Sequence, residues 1–130
     1  MRWLRQAEHN FAVTKHNFTA GFYSDACFMA EQAAQVALKA FIIANKRRYI
    51  WEHSVQELAR LCQQYDNDFA GLVEAGKILD RYYIPTRYPD ALASPAVPYK
   101  TYTKNDAVKA IGFAKSIIQL VKRKLKIRFK

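Results

Sequence analysis

Glycine and proline are scarce in this chain, four of each, and every proline falls between Pro85 and Pro98. The long stretches on either side of that window are therefore almost free of helix breakers. Cysteine is scarcer still, with only Cys27 and Cys62. Each falls among apolar residues at helical spacing, so neither a disulfide framework nor a cysteine metal site is expected, and both read as free, buried thiols of a cytoplasmic protein. Also missing are a Gly-rich phosphate loop, a Ser-His-Asp set and a His/Cys cluster at metal-ligand spacing. The stretch from Phe22 to Lys46 has no paired acids at general acid–base spacing, since Glu31 is its only carboxylate after Asp25. No metal or other cofactor is expected. No run approaches the ~18 consecutive apolar residues of a membrane span, and the opening MRWLRQAEHN lacks a signal-peptide core. Acid is in short supply as well: 11 Asp and Glu against 21 Lys and Arg leave a net charge of +10. That excess favours polyanions, whether nucleic acid, nucleotides or an acidic partner.

What is present is apolar helix. The 130 residues are 51% hydrophobic and 14% aromatic, enough for a single domain over 1–130 with a real core. From Phe22 to Lys46 no Gly or Pro interrupts the chain. Ala26, Ala30, Ala33, Ala37, Ala40 and Ala44 alternate steps of three and four and so form one stripe. Cys27, Ala34, Leu38 and Phe41 form a second, and Met29, Val36 and Ile43 widen the apolar surface. A helix apolar over most of its circumference must be packed on several sides, so this one is expected at the centre of a bundle.

The other helices follow from periodicity and caps. Leu4, Ala7, Phe11, Thr14 and Phe18 mark a first amphipathic helix from Arg2 to Thr19, closed by a turn at Ala20-Gly21. His9 and His16 share a face of it, but about 10 Å of axial separation is too far for one metal ion. After the basic, aromatic connection KRRYIWEH, Ser54 and Glu57 form a capping box for a third helix carrying Val55, Leu58, Leu61, Cys62 and Tyr65. A polar turn at Asp66-Asn67-Asp68 leads to a fourth helix with Phe69, Leu72, Val73, Leu79 and Tyr83 inward. Residues 82–102 read as a long irregular loop packed by tyrosines. Thr103 and Asp106 cap a last helix from Ala107 to Leu125. The fold class is all-α, an antiparallel bundle. The closing residues 122–130, KRKLKIRFK, hold six of the 21 basic residues. They read as a solvated helix end or a basic tail able to bind nucleic acid.

Three constellations could carry chemistry. Arg48 and His53 join a phosphate-gripping guanidinium to a proton-moving imidazole, a pair that could cleave RNA without metal. The alternative is that His53 satisfies backbone groups at a helix start. Arg81, Tyr83, Arg87 and Tyr88 interleave cations and rings on a proline-stiffened loop, which suits stacking a base and holding its phosphate. There the competing reading is a local Arg87–Asp90 pair with the tyrosines closing one end of the bundle. The strip Glu31, Gln32, Gln35 and Lys39 on the central helix reads as solvated or facing a second subunit.

Taken in order, these features resemble the HEPN domain, the small helical domain of higher eukaryotes and prokaryotes associated with nucleotide binding. The resemblance rests on early Trp3, Tyr23-Ser24-Asp25-Ala26-Cys27-Phe28, Glu31-Gln32-Ala33-Ala34, Ala37-Leu38-Lys39-Ala40, the helix start at His53, Arg87-Tyr88-Pro89-Asp90 and the helix opening at Asp106-Ala107. It implies an up-and-down bundle of four main helices plus a short one, usually a homodimer. It also implies a minimal nucleotidyltransferase partner in a toxin–antitoxin module. Some members are metal-independent ribonucleases using Arg-x(4–6)-His late in the domain. Here His53 is the last histidine, and Arg48–His53 keeps the spacing but precedes the third helix. The expectation is therefore a non-catalytic module that binds a nucleotide through Arg81, Tyr83, Arg87, Tyr88 and Lys39, or binds a nucleotidyltransferase. The alternative is a ribonuclease using Arg48 and His53.

Overall fold

A computed structural model describes residues 1–46, 48–83 and 89–129. All its regular elements are helical: α1 (Arg2–Thr19), α2 (Tyr23–Lys46), α3 (Val55–Gln63), α4 (Val73–Asp80), α5 (Pro98–Thr101) and α6 (Lys104–Phe129). Short 3₁₀ turns occupy Asn67–Leu72 and Pro89–Ala91. The all-α bundle expected from the sequence is what forms.

α1 and α2 are joined by Gly21, whose φ of +85° is a left-handed conformation that glycine adopts without a Cβ penalty. α2 then packs against α1, α3, α4, α5 and α6. Its most apolar window has a mean hydropathy of 1.3, and by length and composition it could cross a membrane. Here that window is 72% buried inside the bundle, the place of a core helix. Ala26, Ala30, Ala33, Ala37 and Ala40 are all fully buried, as are Ala7 on α1 and Ala107, Ala110 and Ala114 on α6. Small side chains on all three long helices allow close approach. Lys122 of α6 pairs with Glu8 of α1, and Lys104 sits over the Phe18 ring. The two helices therefore run antiparallel.

Around α3 and α4 the local chemistry departs from the simple reading. The fourth helix begins as a 3₁₀ turn capped by Asp66, whose carboxylate accepts from the Asp68 amide, and becomes α-helical only at Val73. The long 82–102 segment contains α5, because Pro98 sits at a first helical position, where its missing N–H costs nothing. The Thr103–Asp106 box closes as expected: the Thr103 amide donates to Asp106 Oδ2 at 2.9 Å, and the Asp106 amide donates to Thr103 Oγ1 at 3.2 Å. α6 continues to Phe129, so nearly all of the basic closing segment is helix. Its Lys124 bridges Asp66 and Asp68, and both carboxylates raise the lysine pKa.

Candidate functional site

The polar strip of α2 is not solvated. Glu31 is fully buried, Gln35 is 5% exposed and Lys39 is 2% exposed. This corrects the sequence reading, and the cover comes from the chain's own 48–53 connection, which doubles back along α2. Glu31 accepts hydrogen bonds from Gln32 Nε2 at 2.7 Å and from Gln35 Nε2 at 2.9 Å. That second bond fixes the Gln35 amide, so its Oε1 faces the His53 ring, 3.1 Å from Nδ1. On the other side the Lys39 amine donates to the Tyr49 hydroxyl at 3.0 Å and lies 3.4 Å from His53 Nδ1. Among the described residues Lys39 has no acidic partner.

The tautomer of His53 follows from this network. Gln35 Oε1 can only accept, and it makes the shorter contact, so Nδ1 carries the hydrogen and Nε2 is the nitrogen left outside this network. His53 is itself exposed, and its ring lies nearly parallel to Tyr83, with centroids 6.4 Å apart and an 18° interplanar angle. Tyr83 in turn stacks on Phe28 of α2. His53, Ser54, Asp80 and Tyr83 line a shallow pocket of about 260 Å³.

The helix start beside it is capped by other groups. Ser54 Oγ accepts from the Glu57 amide at 3.2 Å, as the box requires. The reciprocal Glu57 bond does not form, and Glu57 turns to Arg60 instead. In its place Asp80, at the end of α4, accepts from Ser54 Oγ at 2.7 Å, from the Val55 amide at 2.6 Å and from the Gln56 amide at 3.3 Å. Glu52 accepts from the His53 amide at 2.9 Å. So the carboxylates satisfy the backbone here, and the His53 side chain is left for other work. The α3 N-terminus already holds an anion of its own, which removes it as a phosphate site. Asp80→Ala is expected to destabilise the fold by about 2 kcal/mol, since it orphans a hydroxyl and two amides. Urea denaturation would show this as a lower midpoint at an unchanged m value.

Of the residues singled out in the sequence, Lys39, His53 and Tyr83 come together in this cluster. Arg81 is exposed at the end of α4, and Arg48 is exposed just past the end of α2. Arg87 and Tyr88 lie outside the described residues. Sequence reasoning missed Gln35 as the anchor of His53, and Asp80 as the cap of α3. The polar strip on α2 was the signal for the first; no local pattern marks the second. The two thiols are buried. Burial, reinforced by the charge of Asp106, pushes Cys27 up to about 12, and burial alone raises Cys62 further. No group of three or more His, Cys, Asp or Glu side chains among the described residues could hold a metal ion.

A bundle built on an alanine-striped central helix, with a polar cluster on one flank, defines a class of small helical domains. The sequence profile of the HEPN domain matches residues 1–124, and the chain belongs to the HEPN family. It is 39% identical to TT1696 of Thermus thermophilus, with a TM-score of 0.82 over 95% of this chain and 96% of that one. It is 31% identical to ST0689, an archaeal HEPN homologue, with a TM-score of 0.76 over 95% of each chain. It is also 22% identical to MJ1304 of Methanocaldococcus jannaschii, a protein provisionally named a toxin, over 98% of this chain and 88% of that protein. Human Sacsin is 28% identical over 90% of this chain, but the chain spans only 3% of Sacsin's length.

Proposed function

We propose that this HEPN domain is a nucleotide-binding module whose site is centred on His53, with Tyr83 beside it and Lys39 and Gln35 behind it. The observation that carries the reading is the exposed His53 ring, anchored through Nδ1 by Gln35 and flanked by Tyr83. An imidazole held on one side presents its other nitrogen in a fixed direction, and an adjacent parallel ring suits a nucleobase. Lys39 places a positive charge beneath the site, held there by its hydrogen bond to the Tyr49 hydroxyl. Arg81, Arg87 and Tyr88, close by in sequence, are proposed to complete the site. The basic charge of the chain supports an anionic ligand. Likeness to MJ1304 supports a toxin-like role. A homodimer, a minimal nucleotidyltransferase partner and a place in the cytoplasm are part of the same proposal.

One observation favours a second reading, ribonuclease action. The assigned tautomer leaves His53 Nε2 free to take a proton from a ribose hydroxyl, with Arg48 exposed five residues earlier to hold phosphate. Calorimetric titration with a nucleotide panel and a short RNA separates the two. Saturable nucleotide binding that weakens about tenfold in His53→Ala and in Arg87→Ala, with the RNA recovered intact, is the expected result. Unchanged affinity in both variants would remove this cluster from the site. RNA cleaved by the wild type but not by His53→Ala would establish the ribonuclease.

A further inference from the structure

We infer that Trp51 is a stacking platform for a base of single-stranded nucleic acid, one nucleotide along from the His53 cluster. This deepens the nucleotide reading of that cluster and rests on it. Trp51 is 80% exposed, the most exposed large hydrophobic side chain among the described residues. It is nevertheless not loose. Its ring meets Tyr49 edge-on, with centroids 4.7 Å apart and an 84° interplanar angle. Tyr49 is itself held by the Trp3 ring at 5.3 Å, by the Lys39 amine 4.8 Å from its centroid, and by the Lys39 hydrogen bond to its hydroxyl. The indole is therefore braced at its edge while most of its surface stays open to water.

An open, braced aromatic ring suits either a protein partner or a nucleobase, and its surroundings decide between them. The core of a protein interface is depleted in charge and continuous in apolar surface. Trp51 instead lies in a short mixed segment, with Glu52 and His53 directly after it and Arg48 three residues before it, and Tyr49 and Ile50 between. Arg48 is exposed and has no acidic partner among the described residues. The one acid of that run, Glu52, is turned onto the His53 and Ser54 amides. A flat ring three residues along from an exposed guanidinium, on a chain of net charge +10, matches a ligand that supplies a base and a phosphate together. Two residues of chain span at most about 7 Å. That is comparable to the step between neighbouring nucleotides in an extended strand, so a nucleotide seated at His53 and Tyr83 would bring the next base to Trp51.

Fluorescence provides the test, because Trp3 and Trp51 are the only tryptophans. In a Trp3→Phe background the emission comes from Trp51 alone. A uridine tetranucleotide is expected to quench it saturably. Trp51→Ala, folded by circular dichroism, should bind the tetranucleotide about tenfold more weakly, while Trp51→Phe retains most of the affinity and UMP binds both variants as it binds the parent. Tetranucleotide affinity unchanged in Trp51→Ala, with UMP still bound, would overturn the platform and leave the His53 site standing. Quenching by the tetranucleotide without any UMP binding would remove the mononucleotide reading and, with it, the place of Trp51 one nucleotide along from His53. Failure of both ligands would sink both. If Trp51→Ala instead converts a dimer to a monomer in light scattering with tetranucleotide affinity unaltered, Trp51 serves contact between copies, and the platform falls.

Discussion

Gly76→Val is expected to cost about 3 kcal/mol, and Gly76→Ala about 2 kcal/mol, against the 5–15 kcal/mol total of an ordinary domain. A Cβ at Gly76 would lie 2.8 Å from both the Cα and the amide nitrogen of Gln56, and 2.9 Å from the carbonyl carbon of Val55. These are backbone atoms, so no side chain can swing aside. Nor can the strain be relieved by sliding α3, because Asp80 pins the Val55 and Gln56 amides from the same helix that carries Gly76. Alanine recovers about 0.5–1 kcal/mol of helix propensity over glycine, which is too little to offset such a clash. Gly112, on the exposed face of α6, is the matched control: nothing lies within 4 Å of its Cβ position. Gly112→Ala should therefore stabilise by the propensity term alone, about 0.5–1 kcal/mol. Opposite signs in thermal or urea denaturation are the expected outcome; two changes of the same sign would show that α3 and α4 are not locked together.

Raising the pH from 8 to 10 is expected to remove about 3 kcal/mol of stability, apart from any effect of net charge. The two buried thiols are responsible. In the unfolded chain each titrates near the ordinary thiol value of 9.0, whereas burial keeps both protonated in the fold well above that. Between those limits the folded state binds more protons than the unfolded one, so stability is intact below pH 9 and falls as pH rises. Each thiol contributes about 1.4 kcal/mol by pH 10, since one pH unit past the unfolded value is worth about 1.36 kcal/mol. Tyr82, lifted to about 12 chiefly by its burial, adds a smaller loss at the top of the range. Urea melts at the two pH values check this. In a Cys27→Ala, Cys62→Ala double variant the difference between them should fall below about 1 kcal/mol, whatever the absolute stability of that variant. A difference as large as in the parent would place the alkaline limb elsewhere.

Much of the fold is legible in the sequence because its determinants are local. α1 runs from Arg2 to Thr19 and α2 ends at Lys46, as apolar spacing and the absence of breakers dictate. The last helix starts behind Thr103 because hydroxyl and carboxylate three residues apart suffice to start it. What escapes a reading along the chain is made by long-range approach. Asp80 reaches the start of α3 across 26 residues, and nothing near Ser54 announces it. The polar strip of α2 is a second case. Glu31, Gln35 and Lys39 look like a solvated face until residues 48–53 fold back over them, and only then does a glutamine become the anchor of a histidine. His53 was legible as a reactive type of residue. Its orientation was not, since that depends on how Glu31 sets the Gln35 amide.

The central position of α2 also shapes the order in which the protein is made. A helix packed on all sides is satisfied only when its last neighbour exists, and for α2 that neighbour is α6. Between Lys46, where α2 ends, and Lys104, where α6 begins, a ribosome working at about 5–20 residues per second takes several seconds. For that interval an alanine-rich, strongly apolar helix stands with one flank uncovered, hydrophobic enough to be mistaken for a membrane segment. The architecture that gives the finished bundle its tight core thus makes the nascent chain dependent on its final third, and on whatever shields α2 until that third emerges.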